Sequence, residues 1–268
     1  MSNELAQLDD PGRIVELREL LRRKRFLREI YEGVYRRFAE GVRRCPPGGL
    51  VVELGSGAGF IKDFIPEAKS TDILPYTGVD LVVDAAHMPF PDESLSAVCM
   101  INVFHHLPDV ERFLLEAQRC LLPGGRVFML DQHPGWLGAF IFKHLHHEPF
   151  DMNAADWSFA STGPLSGANG ALAWIVFRRD LARLKERVPR LELVSYAPVL
   201  PLSYWLAGGL KSWTLVPGWA SALPRLLDRL LLFLSPEFGT YVEIELMKTP
   251  SKAAGESAMK DAASAPMI

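Results

Sequence analysis

At 268 residues, with 29 Lys and Arg against 32 Asp and Glu and a net charge of −3, the chain can build one large domain and lacks the charge of a nucleic-acid-binding protein. Cys45, Cys99 and Cys120 are scattered without any Cys-x-x-Cys pairing, which excludes a zinc ribbon and a disulfide framework and points to a reducing compartment. The acidic opening segment has no apolar signal core, and no uncharged apolar run reaches the roughly 18 residues of a spanning helix. The expectation is a cytoplasmic protein, with membrane contact confined to the surface.

In chain order, residues 1–48 read as an N-terminal helical arm. Leu17, Leu20, Leu21, Leu27, Val34 and Phe38 recur at helical spacing, and the basic run Arg22-Arg23-Lys24-Arg25 lies among them. Pro46-Pro47-Gly48-Gly49 ends the arm. Residues 49–248 read as the main domain. Short apolar runs at Leu50–Leu54, Ser70–Ile73, Val79–Val83, Ala97–Ile101 and Arg126–Asp131 alternate with helical patterns over Gly59–Ile65 and Val110–Leu121. That alternation predicts an α/β fold around a parallel sheet. Residues 132–236 are loop-rich and variable. They contain a helix over Arg179–Val188, a strand over Leu191–Tyr196 and an apolar stretch from Ala197 to Leu234. Tyr241–Met247 alternates as a last strand. The Ala/Ser/Lys-rich tail at 249–268 is expected to be disordered.

The stretch Val51-Val52-Glu53-Leu54-Gly55-Ser56-Gly57-Ala58-Gly59-Phe60 carries the chemistry. A phosphate-cradling loop needs Gly-Lys-Ser/Thr at its end, and here Phe60 and Ile61 follow the last glycine. A dinucleotide loop needs a small residue at the third position of Gly-x-Gly-x-x-Gly, which is Phe60 here. Glu53 also repels a pyrophosphate, whereas a carboxylate there suits a ligand with a cationic amino-acid end.

Glu53-Leu54-Gly55-Ser56-Gly57-Ala58-Gly59 resembles the first motif of the class I S-adenosylmethionine-dependent methyltransferases. The segments "STDI", "VVDAAHMPFPDESLSAV", "INVFHHLPD" and "EAQRCLLPGGRVFML" resemble later parts in the same order. With "HLHHEPFD" at 144–151, the likeness is to small bacterial enzymes of the type 11 group. It covers residues 50 to 131. The resemblance implies a Rossmann-like, doubly wound, mostly parallel seven-stranded sheet, with N-terminal helices and an inserted helical or loop lid. It implies S-adenosyl-L-methionine as cofactor, held by Glu53, Gly55, Ser56, Gly57 and Gly59, by Asp72 at the ribose, by Asp84 and Ala85 at the adenine, and by Asn102. Between Asp72 and Asp84 the chain is too short for the family's usual crossover helix, so a loop is expected and the third strand should start late.

Open α/β sheets place ligands at the carboxyl ends of their strands. That leaves Asn102, His105 and His106 after the fourth strand and Asp131, Gln132 and His133 after the fifth. His133 is the preferred base and His105 the second candidate, each weighed against a structural hydrogen-bonding role. His144, His146 and His147 with Glu148 suggest a metal site, but Pro149 follows at once and nothing completes the set, so no metal is expected.

The basic arm can cover the cofactor through Tyr31 or Tyr35. The apolar stretch, with Trp205, Trp213 and Trp219, can cap the acceptor site or face a membrane. The expected function is methyl transfer to a small-molecule or lipid-linked acceptor, at oxygen, without nucleic acid. A non-catalytic binding module of the same fold and a nicotinamide-dependent oxidoreductase are the alternatives.

Overall fold

The computed structural model describes residues 12–146, 148–160, 163 and 167–250; His147 and nearly all of the tail lie outside them. Two helices open the described chain, α1 (Arg13–Arg23) and α2 (Arg25–Val42). Then come strands β1 (Leu50–Glu53), β2 (Lys69–Asp72), β3 (Leu81–Val82) and β4 (Leu95–Ile101), helix α3 (Val110–Cys120) and strand β5 (Leu121–Gln132). Helix α4 (Trp136–His144) follows, and a π-helical turn over Ile175–Arg179 leads into α5 (Leu181–Arg187). Strand β6 (Leu191–Val199), helix α6 (Ala222–Leu234) and strand β7 (Tyr241–Lys248) complete the order.

The seven strands form one sheet in the order β3-β2-β1-β4-β5-β7-β6. The first five run parallel, with Val52 opposite Val98 and Val98 opposite Val127. Only β7 runs against its neighbours, pairing Phe128 with Glu245 and Tyr196 with Ile244. This is the doubly wound, mostly parallel sheet that the resemblance implies. β1 and β4 neighbour each other while the chain runs outward from β1 to β3 first, so the order reverses between them. Ligands of open sheets bind in the crevice at such a point.

Each sheet face has its own core. On one face, Phe26, Leu27, Tyr31, Val34, Tyr35 and Phe38 of α2 pack against Val51, Ala97, Cys99 and Phe128. The N-terminal section therefore shares a core with the sheet. On the other face, Val110, Phe113, Leu114 and Ala117 of α3 meet Val98, Met100, Val127 and Trp157. Asp109 caps α3 by accepting the amide of Arg112 at 2.9 Å, and the helix stops at Cys120, one residue inside the expected end.

The helix expected over Gly59–Ile65 is absent; only a 3-10 turn, Ile61–Asp63, forms. The reason lies in α2, which already covers that face and packs on Ile61, Ile65 and Ala68. A further helix would have no apolar surface left to bury. This also explains Phe60. With no helix to seat closely on β1, a ring is tolerated where a dinucleotide fold requires a small residue, and it packs on Tyr31 and Tyr35 at 6.4 and 5.1 Å between centroids. The crossover from β2 to β3 is a loop, and β3 starts at Leu81 rather than Val79, pairing with Thr71 and Asp72 of β2. The helix expected over 179–188 starts later because the π-helical turn takes Arg179, and it ends at Arg187 with Val188 as its cap.

Candidate active site

The tips of β1, β2 and β4 open into a cavity of about 1470 Å³, walled on one side by α1 and α2 and on another by residues 204–215. Every residue expected to hold the cofactor lines it: Glu53, Gly55, Ser56, Gly57, Gly59, Asp72, Asp84, Ala85 and Asn102. The loop after β1 turns tightly because Gly55 and Gly57 take φ of +63° and +47°, a region costly for side chains with a Cβ. A Cβ at Gly59 would sit 2.3 Å from the Tyr35 hydroxyl, so the loop and α2 touch only through a glycine.

That Tyr35 hydroxyl donates to Oε1 of Glu53 at 2.7 Å. Oε2 of Glu53 is buried without a hydrogen-bond partner. Burial pushes the Glu53 carboxyl up to about 7, against the hydrogen bond from Tyr35. A buried carboxylate oxygen with no partner is costly, and a cationic ligand group beside it removes the cost. Asn102, at φ +56°, likewise leaves Oδ1 buried and unpaired at the start of the crevice. Both residues line the cavity, and an ammonium is the kind of group that satisfies such oxygens.

Asp72 ends β2 and is nearly buried. Its carboxylate accepts from the amides of Gly57 (3.1 Å) and Leu74 (3.2 Å) and from the Tyr76 hydroxyl (2.8 Å). A carboxylate offers about four lone-pair sites, so one stays available to a vicinal diol, and the Tyr76 hydroxyl can yield a second. Arg18 of α1 ties the surrounding loops together. It donates to the carbonyls of Thr77 at 2.5 Å and Gly57 at 3.4 Å, with its guanidinium 5.3 Å from the centre of the Tyr76 ring. Asp84 is exposed and turned to the Ala86 amide and the His87 ring, while Ala85 is buried beside it. The residues present thus fit the amino-acid end and the ribose of S-adenosylmethionine. They offer no cation to a phosphate at the glycine loop itself apart from the long contact of Arg18.

The other end of the cavity is polar at its floor and apolar at its mouth. His105 is buried with Nδ1 2.7 Å from Oδ1 of Asp131 and Nε2 3.3 Å from Oε2 of Glu148. Burial lowers its basicity, but the charges of Asp131 and Glu148 outweigh that and raise the imidazole to about 10. It is therefore an imidazolium at neutral pH and cannot accept a proton there. Burial and the neighbouring His105 lower His106 to about 4. Burial raises the Glu148 carboxyl, but the His105 hydrogen bond and charge overcome this and hold it below its ordinary value. Gln132 donates to Oε2 of Glu148 at 2.9 Å.

His133, the preferred base, does not line the cavity. Its Nδ1 faces the Tyr196 hydroxyl at 2.8 Å, and burial with the charge of Arg178 lowers it to about 4. Its position follows from β5: successive side chains alternate faces, so Gln132 points into the cavity and His133 away from it. Of the grouping of His144 with His147 and Glu148, His147 lies outside the described residues. His144 closes α4, and Glu148 meets His105, His106 and His146. Sequence reasoning missed Tyr204 and Glu148 as cavity residues, and Arg18 as the residue that ties the loops beside the cavity. Only Glu148 carried a signal, its histidine-rich surroundings, and that signal did not point to His105 and His106.

Residues 52–129 match the family model described as "Methyltransferase domain". The chain is 42% identical over 60 residues to a demethylmenaquinone methyltransferase of Thermus thermophilus, covering 22% of this chain and 27% of that protein. It is 29% identical over 120 residues to the ubiquinone/menaquinone biosynthesis C-methyltransferase UbiE of Desulfotalea psychrophila, covering 37% of this chain and 48% of that one. A phthiotriol/phenolphthiotriol dimycocerosates methyltransferase of Mycobacterium ulcerans is 41% identical over 58 residues, 21% of each chain. The chain thus spans less than half the length of each of these three relatives. Among solved structures, a putative methyltransferase in complex with the Haloferax volcanii Trm112 activator aligns over 88% of this chain and 98% of its own, at 15% identity and a TM-score of 0.47. Together with the glycine loop and the two unpaired oxygens beside it, the family match identifies residues 52–129 as a class I S-adenosylmethionine-dependent methyltransferase domain.

Proposed function

We propose that this chain transfers the methyl group of S-adenosylmethionine to an apolar, lipid-like acceptor that carries a hydroxyl and is reached from a membrane surface. The carrying observation is Oε2 of Glu53, buried and unpaired in the wall of a cavity that continues to an apolar mouth. When bound, the cofactor supplies an electrophilic methyl carbon on a sulfonium. Glu53 and Asn102 hold its ammonium, Asp72 its ribose, and Ala85 with Val83 and Val103 the base. Transfer would break the methyl–sulfur bond with its electron pair left on sulfur, form the bond from methyl to the acceptor oxygen, and release the hydroxyl proton past Glu148 to water in the open cavity. Glu148, a carboxylate beside cationic His105, is the group placed to accept the hydroxyl's hydrogen bond and orient it. Tyr204, Trp205, Leu206 and Leu210 enclose the apolar part of the acceptor.

The membrane reading rests on α6. Its inner face buries only Pro224 and Asp228, whose carboxylate accepts the amides of Leu202 and Ser203. Leu223, Leu226, Leu230, Phe233 and Leu234 of the same helix are exposed, Phe233 by 87%. Trp136 and Phe140 of α4 are exposed as well, and both helices pack on the turn Pro236–Phe238. Lys143, Lys211 and Arg229 are exposed around this surface, and Leu145, Trp213 and Leu215 carry its apolar character to the cavity mouth. An apolar surface with flanking cations fits an anionic bilayer interface, and a mouth beside it admits a lipid without crossing water. Among the described residues no helix is long and apolar enough to cross a membrane. The names of two relatives mention demethylmenaquinone and phthiotriol/phenolphthiotriol dimycocerosates, which supports the lipid-like character of the acceptor and says nothing of the atom methylated.

Calorimetric titration with S-adenosylhomocysteine, with NADH as control, tests the cofactor. Binding of the first and none of the second is expected; the reverse overturns the assignment. Radiolabel transfer from the cofactor into an extracted quinone and lipid pool tests the reaction. Cofactor binding without any transfer, in the presence of vesicles, would favour the non-catalytic binding module.

A further inference from the structure

His105 and His106 sit side by side in the 3-10 turn Phe104–His106 after β4, and Glu148 reaches them from beyond α4. In both histidines the Nδ1 side is taken by an acceptor. His105 Nδ1 faces Oδ1 of Asp131 at 2.7 Å, and His106 Nδ1 faces the carbonyl of Gly167 at 3.0 Å. Those acceptors place a proton on each Nδ1 and turn each Nε2 toward Glu148. Nε2 of His105 lies 3.3 Å from Oε2 of Glu148, and Nε2 of His106 lies 3.7 Å from Oε1. The three donor atoms stand within 4.8 Å of one another. Ligand atoms at roughly 2.0–2.1 Å around a tetrahedral ion stand roughly 3.3 Å apart, close to these separations.

The geometry points to a divalent transition-metal site of the zinc class, formed by Nε2 of His105, Nε2 of His106 and a carboxylate oxygen of Glu148. The outer partners have the form that metal-binding histidines need: a carboxylate behind one ring and a backbone carbonyl behind the other fix tautomer and orientation. Gln132 does the same for Glu148, donating to Oε2 at 2.9 Å. Two imidazoles and one carboxylate suit zinc, cobalt or iron rather than magnesium or calcium, which prefer oxygen ligands. Three protein ligands on a cavity wall leave a coordination position open to the cavity, as in sites that bind a substrate oxygen. A proton on His105 is the competing occupant. The inference stands on the cluster alone and does not depend on the proposed reaction.

Cobalt(II) is the probe, added to chelator-treated and dialysed protein. One equivalent should bind with visible d–d absorption, and zinc(II) should displace it. His106→Gln and Glu148→Gln, with melting temperatures near wild type, should each weaken cobalt binding at least tenfold. If one variant fails to fold, the wild-type spectrum and the other variant decide. Absence of d–d absorption in folded wild type, or binding unchanged in the folded variants, overturns the site. S-adenosylhomocysteine titration of the same wild-type sample separates the two ideas. Cofactor binding without cobalt binding removes the metal site only, and cobalt binding without cofactor binding removes the proposed reaction only.

Discussion

The two ends of the cavity are built in different ways. At the cofactor end, Glu53, the glycine loop, Asp72 and Asn102 all come from the tips of β1, β2 and β4, which neighbour one another in the sheet. At the acceptor end, His105 and Gln132 leave β4 and β5, Glu148 comes from beyond α4, and Tyr204 and Trp205 come from the stretch inserted between β6 and β7. The first end is fixed by strand register, so its geometry is inherited from the fold. The second is brought together from two strand ends, the segment beyond α4 and the stretch inserted between β6 and β7, so it is not fixed by strand register alone. Changes at the first end should remove cofactor binding, and changes at the second should leave it intact.

The largest effect is expected at Glu53. Glu53→Gln removes the anion that faces the cofactor's ammonium, and affinity for S-adenosylhomocysteine should fall at least a hundredfold, about 3 kcal/mol for a charged hydrogen bond in a buried site. Stability of the unliganded protein should move the other way. The folded carboxyl titrates near 7 against an ordinary 4.5, so this group favours the folded state most below about pH 4.5. That contribution is lost as pH rises toward 7, a difference of about 3 kcal/mol. The variant's melting temperature should therefore match wild type near pH 5 and exceed it at pH 8. A gap that does not widen with pH would mean that Glu53 is solvated in the free protein.

Asp131→Asn probes the acceptor end through its foundation. Asp131 is fully buried and holds His105 Nδ1, the His105 amide at 3.4 Å and the Gln132 amide. Removing its charge leaves a buried imidazolium with one carboxylate fewer, which should cost about 3 kcal/mol and lower the melting temperature by several degrees. Cofactor affinity should change less than threefold. An equal loss in both would mean that the two ends are one cooperative unit.

How much of this was legible follows from the same division. The strand alternation, the glycine loop, Asp72 and the capped α3 are local patterns, and a local pattern survives into structure. Phe60 was legible as an exclusion of dinucleotide binding, but not as what it is, a ring packed on Tyr31 and Tyr35 where a crossover helix is missing. That helix was misread because Ile61 and Ile65 have helical spacing. The apolar face they supply is used by α2 instead, a tertiary choice that spacing does not encode. His133 lies off the cavity, and proximity to a strand end does not say which face a side chain takes. Glu148 stands 43 and 42 residues after His105 and His106, and nothing short of the fold brings them together.

Helices α2 and α6 sharpen the contrast. Both carry an apolar stripe, but α2 buries its stripe against the sheet and α6 turns its own outward. Leu230→Glu with Phe233→Glu should abolish flotation with vesicles containing anionic lipid at low salt, where wild type floats. Both residues are exposed, so the double variant should keep its melting temperature and its affinity for S-adenosylhomocysteine. If the wild type fails to float, the outward stripe belongs to another contact and the membrane reading falls.

The smallest effect tests whether α1 belongs to the cofactor end at all. Arg18 reaches from α1 to the Thr77 and Gly57 carbonyls and over Tyr76, joining the glycine loop to the β2–β3 crossover. These contacts are half-exposed, so each contributes a fraction of a kcal/mol, and Arg18→Ala should weaken S-adenosylhomocysteine about threefold. Because Tyr76 leans on both Arg18 and Asp72, the loss should shrink when Tyr76→Phe is already present. Additive losses would place Arg18 outside the ribose site. A loss that depends on Tyr76 makes α1 the clasp of the cofactor end, since the same guanidinium then holds both loops that the bound ribose must touch.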